Sequence, residues 1–294
     1  MKLTGSIVAL VTPFKQDKSV NYEKLGELIE FHIDNQTDGI LILGTTGESP
    51  TITDQEQKEI VRYTVERAKG RIHIMAGSGS NDTAKTIKTS LEFEALGVDS
   101  LLVITPYYNK TNESGMIKHF EAVADAVNTP IIMYNVPGRT GCAISTAALK
   151  RLAKHPKIAG IKEASGDLSY AMTLAPYLSD DFIMYSGNDD IIAPLLSIGA
   201  CGVISVWANI MPQAAHEIVA AHINDAPRKS LEIQLQHLDF INTLFIETNP
   251  IPIKYVMNKA GFGVGPVRLP LDEPSLSGQV KLDNILATAD IKGL

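Results

Sequence analysis

Lys162 closes the run Ile158-Ala159-Gly160-Ile161 and is followed by Glu163-Ala164-Ser165-Gly166, which puts an amine where an apolar strand ends and a loop of small residues begins. A lysine with an ordinary pKa near ~10.4 is a free amine only about once in a few thousand molecules at neutral pH. Burial penalises the ammonium form and lowers that pKa, and a neutral amine beside a carbonyl compound forms a Schiff base. The plainer alternative is a surface lysine opening a loop.

Three other groups of residues bear on that choice. Gly44-Thr45-Thr46-Gly47-Glu48 offers backbone N–H groups and hydroxyls to a small anion such as a carboxylate, with a helix start after it adding a favourable field. It lacks the lysine of a P-loop and forms no Gly-x-Gly-x-x-Gly, so a phosphate loop is excluded and a purely structural turn is the alternative. Tyr134-Asn135-Val136-Pro137-Gly138-Arg139-Thr140-Gly141 contains a tyrosine that can pass protons if its pKa is lowered or if it joins a hydroxyl relay. Arg139 can hold a carboxylate through paired hydrogen bonds. A rim tyrosine with a satisfied hydroxyl and a surface ion pair are the competing readings of these two. Thr105-Pro106-Tyr107-Tyr108-Asn109 supplies two aromatics that suit either a site or a contact between subunits.

Other chemistries find little support. The seven histidines are scattered, without a His-x-His or His-Glu-x-x-His pair, so no metal is expected. Cys142 and Cys201 make neither a disulfide scaffold nor a CxxC site. Gly261-Phe262-Gly263-Val264-Gly265 follows a helix-like segment and reads as a loop, and Trp207 reads as packing at the end of a strand.

The elements that must position these residues are legible as short apolar or β-branched runs: 6–10, 40–43, 72–76, 101–104, 131–134, 158–161, 182–185 and 202–205. Segments of helical spacing separate them, as in Leu25, Leu28, Ile29, His32 and Ile33. Asn81-Asp82 and Thr53-Asp54 read as helix starts and Gly97 as a residue just past a helix end. Strands that alternate with amphipathic helices must pair in parallel, since each returns by a crossover. Eight such units predict a closed (β/α)8 TIM barrel over residues 1–224; an open doubly wound sheet is the competitor. The barrel is preferred because polar candidates follow most of the runs instead of one switch point. Residues 225–294 read as a C-terminal helical appendage, broken at Asn249-Pro250, 261–266 and 270–274, and too small to be stable alone. It is expected to pack on the barrel or on a neighbouring subunit.

With 294 residues, 45% hydrophobic and 20% charged, the composition is that of a soluble globular chain. Its net charge of -7 argues against nucleic acid, whose phosphates call for a basic face. No signal peptide and no apolar stretch near twenty residues is seen, so a cytoplasmic protein away from membranes is expected.

Taken together, these motifs resemble the pyruvate-dependent Schiff-base aldolase and lyase superfamily, and within it the dihydrodipicolinate synthase family. The resemblance runs from Gly5-Ser6-Ile7-Val8 and Val11-Thr12-Pro13-Phe14 to Asn249-Pro250-Ile251-Pro252-Ile253-Lys254 and Arg268-Leu269-Pro270. Its more specific parts are 134–140, read as Tyr-Asn-Val-Pro-x-Arg-Thr, and Gly202-Val203-Ile204-Ser205-Val206. The resemblance implies that Lys162 forms an imine with pyruvate, whose enamine adds to aspartate 4-semialdehyde. It further implies that Tyr134 moves the protons through a relay with Thr45 and Tyr108. On the same basis Thr46 binds the pyruvate carboxylate, Arg139 the semialdehyde carboxylate, and the backbones of Gly187 and Ile204 line the pyruvate pocket. No cofactor is implied. A homotetramer of tight dimers is, with Tyr108 reaching into the neighbour's site beside Tyr107.

Lysine-inhibited relatives carry a carboxylate on the helix after the third strand and histidines after the Gly-Thr-Thr-Gly-Glu turn. This chain matches them at Ser49, Asn81 and Tyr107, but Lys85 stands at the carboxylate position and Asp54 and Gln57 at the histidines. Like charges repel, so feedback by lysine is expected to be weak or absent. The competing functions are an N-acetylneuraminate lyase or 2-keto-3-deoxy sugar acid aldolase using the same imine, and a non-catalytic keto-acid sensor. Arg139 separates the first pair from the synthase, and turnover separates the last.

Overall fold

The computed structural model describes residues 4–289 and Ile291. Among these residues eight parallel strands close into a barrel in sequence order, β1 pairing with β8. The strands are β1 (Gly5–Ala9), β2 (Gly39–Ile42), β3 (His73–Gly77), β4 (Ser100–Ile104), β5 (Ile131–Asn135), β6 (Ile158–Glu163), β7 (Ile183–Ser186) and β8 (Gly202–Ser205). The expected barrel is therefore present, and each predicted run falls on a strand with shifts of a residue or two at its ends. One shift matters. Lys162 does not follow the sixth strand but lies within it, because β6 runs on to Glu163.

The crossovers are α1 (Tyr22–Asp34), α2 (Asp54–Ala68), α3 (Thr83–Ala95), α4 (Glu113–Ala126), a four-residue α5 (Pro137–Thr140) with α6 (Thr146–Leu152), α7 (Leu168–Leu174) and α8 (Ile192–Ile198). The predicted starts are built as caps: Thr53 accepts from the Glu56 amide in a full capping box, and Asp82 accepts from the Lys85 amide. Strand parity divides the core. Ile7, Ala9, Leu41, Met75, Leu102, Ile132, Tyr134, Ile183, Tyr185 and Ile204 fill the interior, while Val8, Ile40, Ile74, Val103, Met133 and Val203 face the helices.

After α9 (Pro212–Ile223) come α10 (Pro227–Thr243), α11 (Ile251–Lys259) and α12 (Leu276–Ala287). This C-terminal part packs on the barrel of its own chain. Gln234 of α10 donates to the Asp189 carbonyl at 2.8 Å and accepts from the Ala193 amide at 3.3 Å. Lys254 of α11 is 1% exposed and donates to the carbonyls of Thr12 and Pro266 and to Glu48 Oε1, at 3.0, 2.7 and 2.8 Å. The glycine-rich stretch after α11 is a loop that buries Phe262 and Val264. Trp207 is fully buried, with Nε1 on Met211 Sδ, so it packs as expected.

Candidate active site

In the β5–β6 ladder Tyr134 is the register partner of Lys162, so parity sends both side chains toward the barrel axis. Lys162 is 5% exposed and its Nζ lies over the Tyr134 ring, 4.6 Å from the centroid. Burial is the largest influence on this amine and pushes its pKa down to about 8; Asp189 opposes the shift and Arg139 adds to it. Neither an exposed loop lysine nor an ion-paired one matches these surroundings.

Burial also raises the Tyr134 phenol, while Arg139 and a hydrogen bond with Thr45 act in the other direction. Of the two routes open to a proton-passing tyrosine, a lowered pKa is thus not taken, and Thr45 is the one hydroxyl found hydrogen-bonded to it among the described residues. Thr45, Tyr134 and Arg139 line a cleft of about 380 Å³ at the carboxyl ends of the strands, together with Ser49, Lys85 and Tyr107.

The Gly44–Glu48 turn is held by its own bonds, Gly47 amide to Gly44 carbonyl and Glu48 amide to Thr45 carbonyl, both at 3.1 Å. Its neighbours fix it further: Thr12 Oγ1 donates to the Gly47 carbonyl at 2.7 Å, and Glu48 takes Lys254 on one carboxylate oxygen and the Arg268 amide on the other. The helix start expected to assist this turn is not adjacent. A single 3-10 turn, Ser49–Thr51, follows it, and α2 begins only at Asp54. Thr46 is 2% exposed, and its Oγ1 accepts from Asn249 Nδ2 at 3.0 Å. Arg139 stands on α5 with Nη2 on the Asn249 carbonyl at 3.2 Å.

Ile204 lies in the barrel interior with Tyr134. Gly187 sits against β6, where a Cβ would come within 2.5 Å of Ala164 Cβ; its amide donates to the Glu163 carbonyl at 2.6 Å. Tyr108 is not brought to Thr45 and Tyr134 within one chain: it is 91% exposed, in a left-handed conformation with φ 69°.

Sequence reasoning missed two residues here. Asp189 follows β7, is buried, and accepts from the Val206 and Trp207 amides at 2.9 Å each through Oδ2. Burial raises its pKa, while Ser205, those amides and Lys162 lower it. Its place just after a strand was signal enough. Asn249 lies 203 residues from Thr46, and nothing local announced their contact. Among the described residues no group of three or more His, Cys, Asp or Glu side chains is placed to hold a metal ion, and no helix is long and apolar enough to cross a membrane.

Known proteins resemble the chain along its whole length. It is 52% identical over 277 residues to the 4-hydroxy-tetrahydrodipicolinate synthase of Clostridium tetani, covering 93% of this chain and 94% of that one. The crystal structure of dihydrodipicolinate synthase from Aquifex aeolicus superposes with a TM-score of 0.94 at 41% identity, covering 97% of each chain. The chloride-inhibited dihydrodipicolinate synthase of Acinetobacter baumannii, solved in complex with pyruvate, gives 0.96 at 38% identity over 99% of this chain and 100% of that one. These names favour the synthase over the sugar-acid lyases. The model of the dihydrodipicolinate synthetase family matches residues 2–289, and the chain belongs to that family.

Proposed function

We propose that this chain condenses pyruvate with L-aspartate 4-semialdehyde to give 4-hydroxy-tetrahydrodipicolinate, as the names of its relatives indicate for them. The observation that carries the reading is the buried Lys162 amine on β6, pushed down to about 8 and set against Tyr134. A pKa of about 8 leaves roughly a tenth of the amine neutral at pH 7, about three hundredfold more than an unshifted lysine.

The neutral Lys162 amine attacks the ketone carbon of pyruvate, and the carbinolamine expels its hydroxyl as water on a proton from Tyr134, leaving a protonated imine and a tyrosinate beside Thr45. That cation is an electron sink, so the methyl group gives up a proton to the Tyr134–Thr45 relay and becomes the enamine carbon. This carbon adds to the aldehyde of the semialdehyde, whose oxygen takes the proton back from Tyr134. The amino group of the adduct then attacks the imine carbon, closing a six-membered ring and releasing Lys162 as the free amine. Thr46 receives the pyruvate carboxylate and Arg139 that of the semialdehyde, with Gly187 and Ile204 behind the pyruvate. Tyr108 completes the relay from a neighbouring subunit, in a homotetramer of tight dimers in the cytoplasm. No cofactor takes part. Residues 1–224 are taken as the catalytic barrel and 225–294 as its appendage, with 1–3, 290 and 292–294 lying outside the described residues.

The test is condensation of pyruvate with the semialdehyde, followed through a coupled reductase beside pyruvate with N-acetylmannosamine. Turnover with the semialdehyde alone is expected, with borohydride trapping pyruvate on Lys162. Turnover only on the sugar would overturn the reading. Arg139→Ala is expected to raise the semialdehyde KM at least tenfold and to leave the trapping rate with pyruvate nearly unchanged.

A further inference from the structure

Asn249 lies outside the barrel, just before α11, yet it touches both residues assigned to a substrate carboxylate. Its carboxamide donates to Thr46 Oγ1 and its main-chain carbonyl accepts from Arg139. Asn249 and Thr46 are 5% and 2% exposed, so bulk water does not compete for their bond. A threonine hydroxyl has one proton to give and lone pairs to receive. Asn249 Nδ2 fills the receiving side. Among the described residues no acceptor takes the Thr46 proton, which is therefore left for an anion. In the observed setting Oδ1 has no partner, so truncating the side chain loses one hydrogen bond only.

We propose that Asn249 is a positioning residue of the reaction: its carboxamide turns the Thr46 hydroxyl proton toward the pyruvate carboxylate, and its main-chain carbonyl steadies Arg139 for the semialdehyde. This rests on the roles proposed above for Thr46 and Arg139. One residue of the appendage thus serves both receptors with different atoms. Substitution of its side chain disturbs the pyruvate receptor and spares the other, because the carbonyl remains.

The experiment is steady-state kinetics of the full-length protein with both substrates varied, for Asn249→Ala, Asn249→Asp, Thr46→Val and the Asn249→Ala/Thr46→Val double variant. Asn249→Ala is expected to raise the pyruvate KM roughly five- to tenfold, as the loss of one hydrogen bond would, with the semialdehyde KM within twofold of the parent. In the Thr46→Val background the same change is expected to have no further effect. Asn249→Asp keeps the shape but, once ionised, accepts the Thr46 proton and opposes the substrate's charge. Its pyruvate KM, taken relative to the parent at each pH, should exceed that of Asn249→Ala at pH 8.5 and fall as the carboxyl protonates and donates again. A packing defect has no such pH signature. If Asn249→Ala does not fold, Asn249→Asp and Thr46→Val carry the comparison. A raised pyruvate KM in Thr46→Val with none in the Asn249 variants overturns the role of Asn249 alone, as does an equal rise for both substrates. An unchanged pyruvate KM in Thr46→Val overturns the reading of Thr46, and the role of Asn249 with it.

Discussion

At the scale of the residue, the chemistry turns on how a lysine is kept partly neutral without being lost to a partner. Desolvation lowers Lys162 to about 8, and Asp189 limits the drop. Because the reactive form is the neutral amine, the rate of pyruvate trapping by borohydride should rise with pH and level off above about 8. Asn in place of Asp189 retains an oxygen for the Val206 and Trp207 amides but removes the charge that holds Lys162 up. The trapping profile of Asp189→Asn should therefore move to lower pH; a profile that stays put or moves up would show that Asp189 does not act on Lys162. Sequence pointed to Lys162 through its type and its place at the end of an apolar run, and to Tyr134 in the same way. It put Lys162 after the strand because a polar residue was taken to end one. At the barrel mouth that rule fails: Glu163 stays in the ladder because Asn135 Nδ2 and the Ser165 amide satisfy its carboxylate, at 2.7 and 2.6 Å.

At the scale of the element, the Gly44–Glu48 turn is held by the C-terminal part of the chain as well as by its own bonds. Glu48 adopts a left-handed φ of 58°, uncommon for a residue with a side chain, and its carboxylate is fully buried on Lys254. Burial pushes Lys254 down to about 8 against the pull of Glu48, and three acceptors take its ammonium. Lys254→Met leaves the Glu48 carboxylate buried without its counterion and should cost about 3–5 kcal/mol in urea unfolding. A double Glu48→Leu/Lys254→Met variant should lose less than the single one, because no charge is then left uncompensated. A larger loss in the double variant would mean that Glu48 stabilises the turn apart from Lys254, through the Arg268 amide that it also accepts from. The strands and caps were legible because their signals are local: apolar runs, Thr53 with Glu56, Asp82 before α3. Lys254, Arg268 and Asn249 were not, since the partners that tie them to the turn, Glu48 and Thr46, lie more than 200 residues away and only the closed barrel brings them near.

At the scale of the whole molecule, two features at or beside the cleft lead outward. Lys85 and Asp54 face each other across 4.0 Å, both exposed, where lysine-inhibited relatives are expected to offer a carboxylate and a histidine. A ligand ammonium there meets another ammonium, so millimolar lysine should leave the condensation rate nearly unchanged; half-inhibition at micromolar lysine would refute this. The second feature is Tyr108. Tyr108 is 91% exposed in a left-handed conformation, and among the described residues Thr45 is the hydroxyl found bonded to Tyr134. Both facts fit a residue shaped for a neighbour's site, with Tyr107 lining the cleft beside it. If so, the relay is broken in a monomer, while Lys162 and its burial are not. Dilution or an interface substitution that yields monomers should then lower kcat at least tenfold and leave borohydride trapping of pyruvate largely intact. Tyr108→Phe should do the same in the undissociated enzyme. Full specific activity in a monomer, verified by sedimentation at the assay concentration, would place the whole proton path inside one chain and remove Tyr108 from it.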